Sequence, residues 1–193
     1  ADTPADVPAG YEVVIRSHGV PRSIYDELEE RGCVYHDATC PFVKKVHLAA
    51  RRLYEDGYQV VVVGEAGHPE VEATLPHAPG AVVIGSADEA EALPEAKKIG
   101  VVVQTTQSRA NLAEVVGALL GRAEEVRVVN TICDATSGHQ GACAELAREA
   151  DAMVVIGGRI SANTKRLAEI SASICPNTHH IEGADELRAE WFR

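Results

Sequence analysis

Two patterns of apolar and polar residues alternate along this chain. One predicts strands and the other predicts helices. Short apolar runs rich in Val and Ile predict strands. These strands are Tyr11–Arg16, Cys33–His36, Gln59–Val63, Ala81–Ile84, Ile99–Val103, Val126–Asn130, Ala152–Ile156 and Thr178–Ile181. Apolar residues spaced three and four apart predict amphipathic helices between them. These helices are Ser23–Arg31, Val43–Tyr54, Asn111–Leu120, Cys143–Arg148 and Lys165–Ala172. The alternation predicts an α/β fold of parallel sheets covered by helices.

The segment Ala87–Lys98 interrupts this rhythm, because it is rich in Glu and Ala and contains one proline. It predicts a short helix that leads into a second sheet unit. We therefore expect a first α/β unit at residues 1–86, a second at residues 87–150, and part of a third at residues 151–193.

Composition narrows the class of protein. Hydrophobic residues make up 46% of the 193 residues but aromatic residues only 4%, so the interior must be built mainly from Val, Ile, Leu and Ala. A net charge of -11 argues against general affinity for nucleic acid or for an anionic membrane surface. No apolar stretch approaches the roughly 20 residues of a membrane span. The opening residues also lack the pattern of a signal peptide, so we expect a cytoplasmic protein.

Chemically useful side chains follow several of the predicted strands. In open parallel sheets, ligands bind at the carboxyl ends of the strands. Residues of this kind are His18, Cys40, His68, Glu70, Thr105, Cys133, Ser161 and Asn163. A lone histidine in a loop is more often solvated than functional, but two histidines at one edge, beside cysteines and Glu70, favour a site.

Of the five cysteines, Cys40 and Cys133 lie between a strand and the start of a helix. A helix N-terminus favours the thiolate, which is the form that binds metal. Burial as small apolar residues remains an alternative for both. Cys33, Cys143 and Cys175 are interpreted as ordinary residues. Because no close cysteine pair exists, single cysteines on separate loops favour an iron–sulfur cluster over structural zinc.

The turn from Gly157 to Asn163 predicts an anion-binding cradle. Its glycines allow close backbone approach, and Ser161 and Asn163 can cap the following helix. The turn matches neither the G-x-G-x-x-G nor the Walker A pattern, which argues against a nicotinamide or nucleoside triphosphate fold.

Several short motifs together resemble the LytB family of 4-hydroxy-3-methylbut-2-enyl diphosphate reductases. They are S-H-G-V at Ser17–Val20, D-A-T-C-P at Asp37–Pro41, G-H-P-E-V-E at Gly67–Glu72, Q-T-T at Gln104–Thr106 and I-C-D-A-T at Ile132–Thr136. The motifs occur in the family's order and spacing, and the resemblance extends over essentially the whole chain.

The resemblance implies three similar α/β units around a central cavity and a [4Fe-4S] cluster held by three cysteines. Cys40 and Cys133 match two of those ligands. The family reduces an allylic diphosphate to isopentenyl and dimethylallyl diphosphates, taking electrons from a donor such as ferredoxin or flavodoxin. The remaining matches are His18, His68, Ser161 and Asn163 as diphosphate-binding residues, Glu70 as proton donor and Thr105 as partner of the substrate hydroxyl.

The chain also departs from the family pattern. The first family cysteine, a further histidine and a C-terminal serine contact are absent, so we expect that the chain starts inside the first unit and stops inside the third. Ile160, Ala162 and His139 differ from the usual family residues. A cluster-free α/β module that binds a diphosphate or another small anion is therefore the alternative hypothesis.

Overall fold

The computed structural model describes residues 3–192 and has parallel strands alternating with helices. The strands are β1 (Val13–Ile15), β2 (Tyr35–Asp37), β3 (Gln59–Val63), β4 (Val82–Ile84), β5 (Ala96–Val103), β6 (Ala123–Val128), β7 (Met153–Ile156) and β8 (Thr178–Ile181). The helices are α1 (Arg22–Glu30), α2 (Pro41–Glu55), α3 (Pro69–Thr74), α4 (Ala87–Glu91), α5 (Arg109–Leu119), α6 (Asp134–Glu149) and α7 (Ala162–Ile174). Short 3₁₀ segments lie at Pro4–Asp6, Leu75–His77, Ala184–Glu186 and Ala189–Phe192.

The strands form three parallel sheets, which confirms the predicted α/β fold. One sheet pairs β1 with β2, another has the order β4-β3-β5-β6, and the last pairs β7 with β8. In the four-stranded sheet, Val61 of β3 pairs with Val82 of β4 on one side and Val101 of β5 on the other. The chain thus leaves β3 in one direction to form β4 and then returns past β3 to form β5. The point between β3 and β5 is where strand order reverses.

Helix α2 covers this sheet because its apolar residues recur at helical spacing. Val46, Ala50 and Leu53 of α2 join one buried cluster with Val60 and Val62 of β3. Burying a Val or Leu side chain in this way contributes about 1.5–3 kcal/mol each. The sheet and α2 therefore form a rigid support for the loops at the strand ends.

Contacts divide the chain into two units. Unit 1 runs up to Thr105 and includes Ala110–Thr131, whereas unit 2 consists of Thr106–Arg109 and the chain from Ile132 onwards. The predicted boundaries near residues 86 and 150 differ from this division. Residue 86 lies inside the chain segment that builds the four-stranded sheet, because β3 pairs with both β4 and β5. Residue 150 lies between α6 and β7, both within unit 2.

Unit 2 consists mainly of the β7–β8 sheet with α6 and α7. Its small core contains Ala147, Met153 and Cys175. Within residues 3–192, the helices are all too short or too polar to cross a lipid bilayer.

Candidate functional site

A buried glutamate and a buried threonine lie together where the strand order reverses in unit 1. Glu70 follows β3 and is 2% exposed, and Thr105 follows β5 and is 6% exposed. The backbone N–H of Thr105 donates to Glu70 Oε1 at 2.7 Å, and its hydroxyl donates to Oε2 at 2.7 Å. Ligands of open α/β sheets bind at this kind of reversal. The two residues therefore combine a titratable group with a hydroxyl at the expected place.

Burial raises the pKa of Glu70, and the two hydrogen bonds from Thr105 only partly oppose this effect. Desolvation disfavours the charged form of any carboxyl group. Glu70 consequently holds a proton more readily than an exposed glutamate, which suits a general acid.

His68 begins the helix that carries Glu70. It is the N-cap of α3, with Pro69 at the first helical position, and its Nδ1 accepts the backbone N–H of Glu70 at 3.2 Å. Since Nδ1 accepts, a proton on the neutral ring must be on Nε2. The ring of His18 meets the ring of His68 edge-on, with centroids 5.5 Å apart. Partial burial, followed by the nearby Arg16, lowers the pKa of His18.

The turn that carries His18 is tied to the loop of Cys40. The backbone N–H of Cys40 donates to the carbonyl of Ser17 at 2.9 Å. Gly19 has a φ of 75°, which favours glycine, and a Cβ there would lie 3.2 Å from His47 and 3.3 Å from Thr39. Glycine at this position lets the two loops approach each other.

Cys40 is the N-cap of α2 and is followed by Pro41, which suits the first helical position. Asp37 shapes the loop before it by accepting the Thr39 N–H at 2.9 Å and by pairing with Lys44 at 2.6 Å. Burial works against ionisation of Asp37, but the hydrogen bonds from Lys44 and Thr39 outweigh it and lower its pKa to about 2. The ionised Asp37 thus fixes where Cys40 enters the helix.

Cys133 has a similar local setting in unit 2. It is the N-cap of α6, and its Sγ accepts the backbone N–H of Thr136 at 3.2 Å. The Thr136 hydroxyl lies 2.8 Å from the same sulfur. A sulfur at a helix start with an N–H donor is a suitable metal ligand once it is a thiolate.

The turn after β7 positions two more predicted residues. Ser161 is the N-cap of α7, and its hydroxyl accepts the Thr164 N–H at 3.3 Å. Asn163 lies in the first turn of α7, and its buried Oδ1 has no hydrogen-bond partner within the described part of the chain. At Gly157, a Cβ would lie 2.6 Å from the Thr164 hydroxyl. The turn can therefore pass this close to α7 only with glycine.

Residues of β8 and the segment after it hold this turn in place. The His180 Nε2 donates to the carbonyl of Gly157 at 2.9 Å. The backbone N–H of Arg159 donates to Glu182 Oε1 at 2.7 Å, and the Arg159 guanidinium pairs with Glu186. The sequence interpretation missed these supporting residues and also Asp37 and Lys44. The only signal for them was their position beside a predicted site turn.

The chain partly fits the iron–sulfur cluster implied by the family. Cys40 and Cys133 both occupy helix N-cap positions, where the helix N-terminus favours the thiolate form. Cys143 lies 3.0 Å from the Ser171 hydroxyl and Cys175 is 6% exposed in a core, so both are structural. Across residues 3–192, three or more His, Cys, Asp or Glu side chains nowhere gather as a metal site. The donor set therefore supplies two of the three thiolates that the family uses.

The predicted residues fall into two groups, one in each unit. In unit 1, direct contacts link His18 to His68, His68 to Glu70, and Glu70 to Thr105, while the Cys40 backbone bonds to the turn of His18. In unit 2, Cys133, Ser161 and Asn163 all occupy helix starts. Each predicted residue has the strand-end or helix-start location that the sequence indicated.

This fold and these sites define the class: an α/β protein that presents thiols, histidines and a buried carboxyl group at the carboxyl ends of parallel strands. The chain belongs to the LytB family, since the family model described as "LytB protein" matches residues 2–193. The resemblance found in the sequence is thereby confirmed.

Curated relatives agree with this membership. A 4-hydroxy-3-methylbut-2-enyl diphosphate reductase of Geobacter sulfurreducens is 53% identical over 182 residues, which is 94% of this chain and 64% of the relative. The reductase of Citrifermentans bemidjiense is 47% identical over 193 residues, which is 100% of this chain and 68% of the relative. The chain thus spans about two thirds, or slightly less, of the length of these relatives.

Solved structures agree as well. An (E)-4-hydroxy-3-methyl-but-2-enyl diphosphate reductase, described as the terminal enzyme of the non-mevalonate pathway, is 42% identical with a TM-score of 0.65. That match covers 97% of this chain and 70% of the other. The E-1-hydroxy-2-methyl-but-2-enyl-4-diphosphate reductase of Plasmodium falciparum is 25% identical with a TM-score of 0.90, covering 98% of this chain and 61% of the other.

Proposed function

We propose that this chain is part of an oxidoreductase that removes the hydroxyl group of 4-hydroxy-3-methylbut-2-enyl diphosphate. The products are isopentenyl and dimethylallyl diphosphates, so the protein acts in isoprenoid synthesis by the non-mevalonate route. The observation that carries the proposal is the buried pair of Glu70 and Thr105 at the reversal of strand order, in a chain whose relatives are named as this reductase.

In this reaction the C–O bond breaks and the oxygen leaves as water. The substrate gains two electrons and one proton at carbon, and a second proton joins the departing hydroxyl. Glu70 supplies the proton to that hydroxyl, since burial keeps its carboxyl group protonated more readily. The hydroxyl of Thr105, which donates to Glu70 Oε2 at 2.7 Å, orients the substrate hydroxyl.

The diphosphate is held by neutral donors and helix starts. The candidate diphosphate-binding residues are His18 and His68, and at the start of α7 Ser161 and Asn163. N–H groups at a helix N-terminus bind phosphate because they point away from the helix unpaired. Asn163 can contribute through its side-chain NH₂ group, because a diphosphate accepts hydrogen bonds and the amide oxygen cannot donate one.

Cys40 and Cys133 are each candidate thiolate ligands for a [4Fe-4S] cluster, which would supply electrons and Lewis acidity when bound. Its electrons come from a donor such as ferredoxin or flavodoxin. All five cysteines are free thiols, which is consistent with the cytoplasmic location that we propose.

A second function has specific support from the donor set. With two predicted cysteine ligands, the chain by itself suits a cluster-free module that captures a diphosphate. Anaerobic iron–sulfur reconstitution followed by visible absorption separates the two functions. A broad visible band that persists after desalting supports the reductase, and pyrophosphate binding without any such band supports the module.

A further inference from the structure

Helix α2 has one outward face that is strongly basic. At about 100° per residue, Lys44, Lys45, Leu48, Arg51 and Arg52 lie within one arc of about 120°. All five are exposed to solvent. The opposite side of the helix is buried against the sheet through Val43, Val46, Ala50 and Leu53. We call these five exposed residues the basic face of α2.

The basic face carries positive charge, whereas the net charge of the chain is negative. The chain has 29 acidic residues and 18 basic residues, yet the basic face has four cations and only Glu55 beside it. Lys44 pairs with Asp37 and Arg51 pairs with Glu55. Among the described residues, Lys45 and Arg52 have no acidic partner, and the Lys45 ammonium lies 4.9 Å from the Phe42 ring.

The basic face also has an apolar centre. Leu48 is 48% exposed in the middle of the four cations. Transient protein–protein interfaces typically combine a small apolar centre with a charged rim.

The position of the face relates it to electron transfer. Helix α2 begins directly after Cys40, its N-cap. With a rise of 1.5 Å per residue, Lys45 lies about 8 Å from Cys40 along the helix axis. A protein that docks over the first turns of α2 comes close to the sulfur of Cys40, and electron transfer is fast only over short distances.

We propose that the basic face of α2 is the docking site for a small acidic electron-transfer protein. This inference rests on the proposed reductase function, because that reaction needs two electrons from outside the chain. Two reduced donor molecules dock in succession, and each is oxidised by one electron. Together with two protons they convert the substrate alcohol into the product alkene diphosphate and water. Complementary charge steers the encounter and makes it sensitive to salt.

The test uses the complete, cluster-loaded protein with Lys45→Glu and Arg52→Glu combined. Neither residue belongs to the catalytic or diphosphate-binding set. The matched control combines Lys97→Glu with Arg148→Glu, which are exposed cations on β5 and α6. The two double variants change the net charge equally. Melting followed by circular dichroism verifies that both remain folded.

Two readouts are compared, namely binding of an acidic ferredoxin across a salt series and turnover with either reduced ferredoxin or reduced methyl viologen. We expect the α2 variant to bind ferredoxin roughly tenfold or more weakly at low salt, with a flatter salt dependence. Its rate with methyl viologen should equal that of the unmodified protein. The control variant should resemble the unmodified protein in both assays.

Equal ferredoxin binding by the α2 variant and the control variant would overturn the docking site. Loss of methyl viologen turnover in the α2 variant alone would also overturn it, since the face would then act on chemistry rather than on docking. The proposed reductase function is judged separately, by whether the unmodified complete protein turns over with methyl viologen at all.

Discussion

Thr105 donates a hydrogen bond to each oxygen of the Glu70 carboxyl group, from its backbone N–H to Oε1 and from its hydroxyl to Oε2, each at 2.7 Å. These two hydrogen bonds fix the carboxyl plane, while burial raises the pKa of Glu70. The pair therefore combines a fixed geometry with a carboxyl group that holds a proton more readily than an exposed glutamate.

Replacing the proton donor should separate binding from turnover. We expect Glu70→Gln in the complete protein to keep its cluster and its diphosphate affinity but to lose roughly 10²–10⁴-fold in kcat, the usual effect of a missing general acid. Glu72→Gln is the matched control, because that carboxylate is exposed and contacts only the Gly67 N–H. If Glu70→Gln turned over at the unmodified rate, the carboxylate would serve only the folding of α3.

Acidification should weaken the loop that carries Cys40. The pKa of Asp37 is lowered from 3.8 to about 2, so its ion pair with Lys44 contributes stability above about pH 4 that is lost as the pH falls towards 2. Because the Lys44 side chain is half exposed, screening by solvent keeps this contribution small. Urea unfolding from pH 2 to 7 should show Asp37→Asn destabilised at neutral pH, with the difference from the unmodified chain shrinking below about pH 4 and nearly gone only at about pH 2. A constant difference over that range would contradict the ion pair.

The cysteines should divide into two classes. In the complete protein we expect Cys40→Ser and Cys133→Ser each to abolish cluster content and activity, because both sulfurs lie at helix starts. The same change at Cys33, Cys143 and Cys175 should leave iron content unchanged. Iron and sulfide analysis after anaerobic purification measures this directly. Full iron content in Cys133→Ser would remove Cys133 from the ligand set.

Adding a side chain to the glycine turn before α7 tests whether this turn binds the anion. Gly157→Ala places a Cβ 2.6 Å from the Thr164 hydroxyl, so the turn must shift at a cost of about 1–3 kcal/mol. We expect weaker pyrophosphate binding, measured by calorimetry on the chain. Gly158→Ala is the control, because its Cβ would meet only Glu182, at 3.8 Å. Equal pyrophosphate affinity in the two variants would show that the turn does not contact the anion.

The chain of 193 residues should fold but not catalyse. Folding is expected because the four-stranded sheet buries its own strands through crossovers that are local in sequence. Catalysis should fail because two cysteine ligands do not reproduce a three-cysteine site. The measurement is dehydroxylation by the reconstituted chain with reduced methyl viologen. Sustained turnover would show that Cys33, Cys143 or Cys175 acts as a ligand.

Much of this architecture was predictable from local pattern. The valine run Val60–Val63 indicated a buried strand, and the residues that follow strands indicated the site edge. Helix α3 has only six residues, too few to show an amphipathic period in the sequence. A helix start was expected at Cys133, but the predicted amphipathic stretch Cys143–Arg148 covers only part of α6, because Gly138 and Gly141 and their polar neighbours dilute the apolar face before it.

Other features depend on long-range pairing and lie outside local pattern. The boundary between the units differs from the expected one because β3 pairs with β5. This pairing cannot be inferred from the local composition of the chain. Deep burial of Glu70 is equally invisible in sequence, since glutamate is usually exposed. The sequence identifies Glu70 and Thr105 as candidate site residues, but it does not show that they lie within hydrogen-bond distance of each other.

The four-stranded sheet also sets how often each part of the molecule opens. Strand β5 lies between β3 and β6, and Val101, Val102 and Val103 are fully buried. Local unfolding is rarest where buried contacts are densest. In contrast, within residues 3–192 β1 and β2 pair only with each other, and Val14 on β1 is 68% exposed. The carboxyl group of Glu70 is thus held by the part of unit 1 that unfolds locally least often, whereas the turn of His18 follows a strand that opens more often.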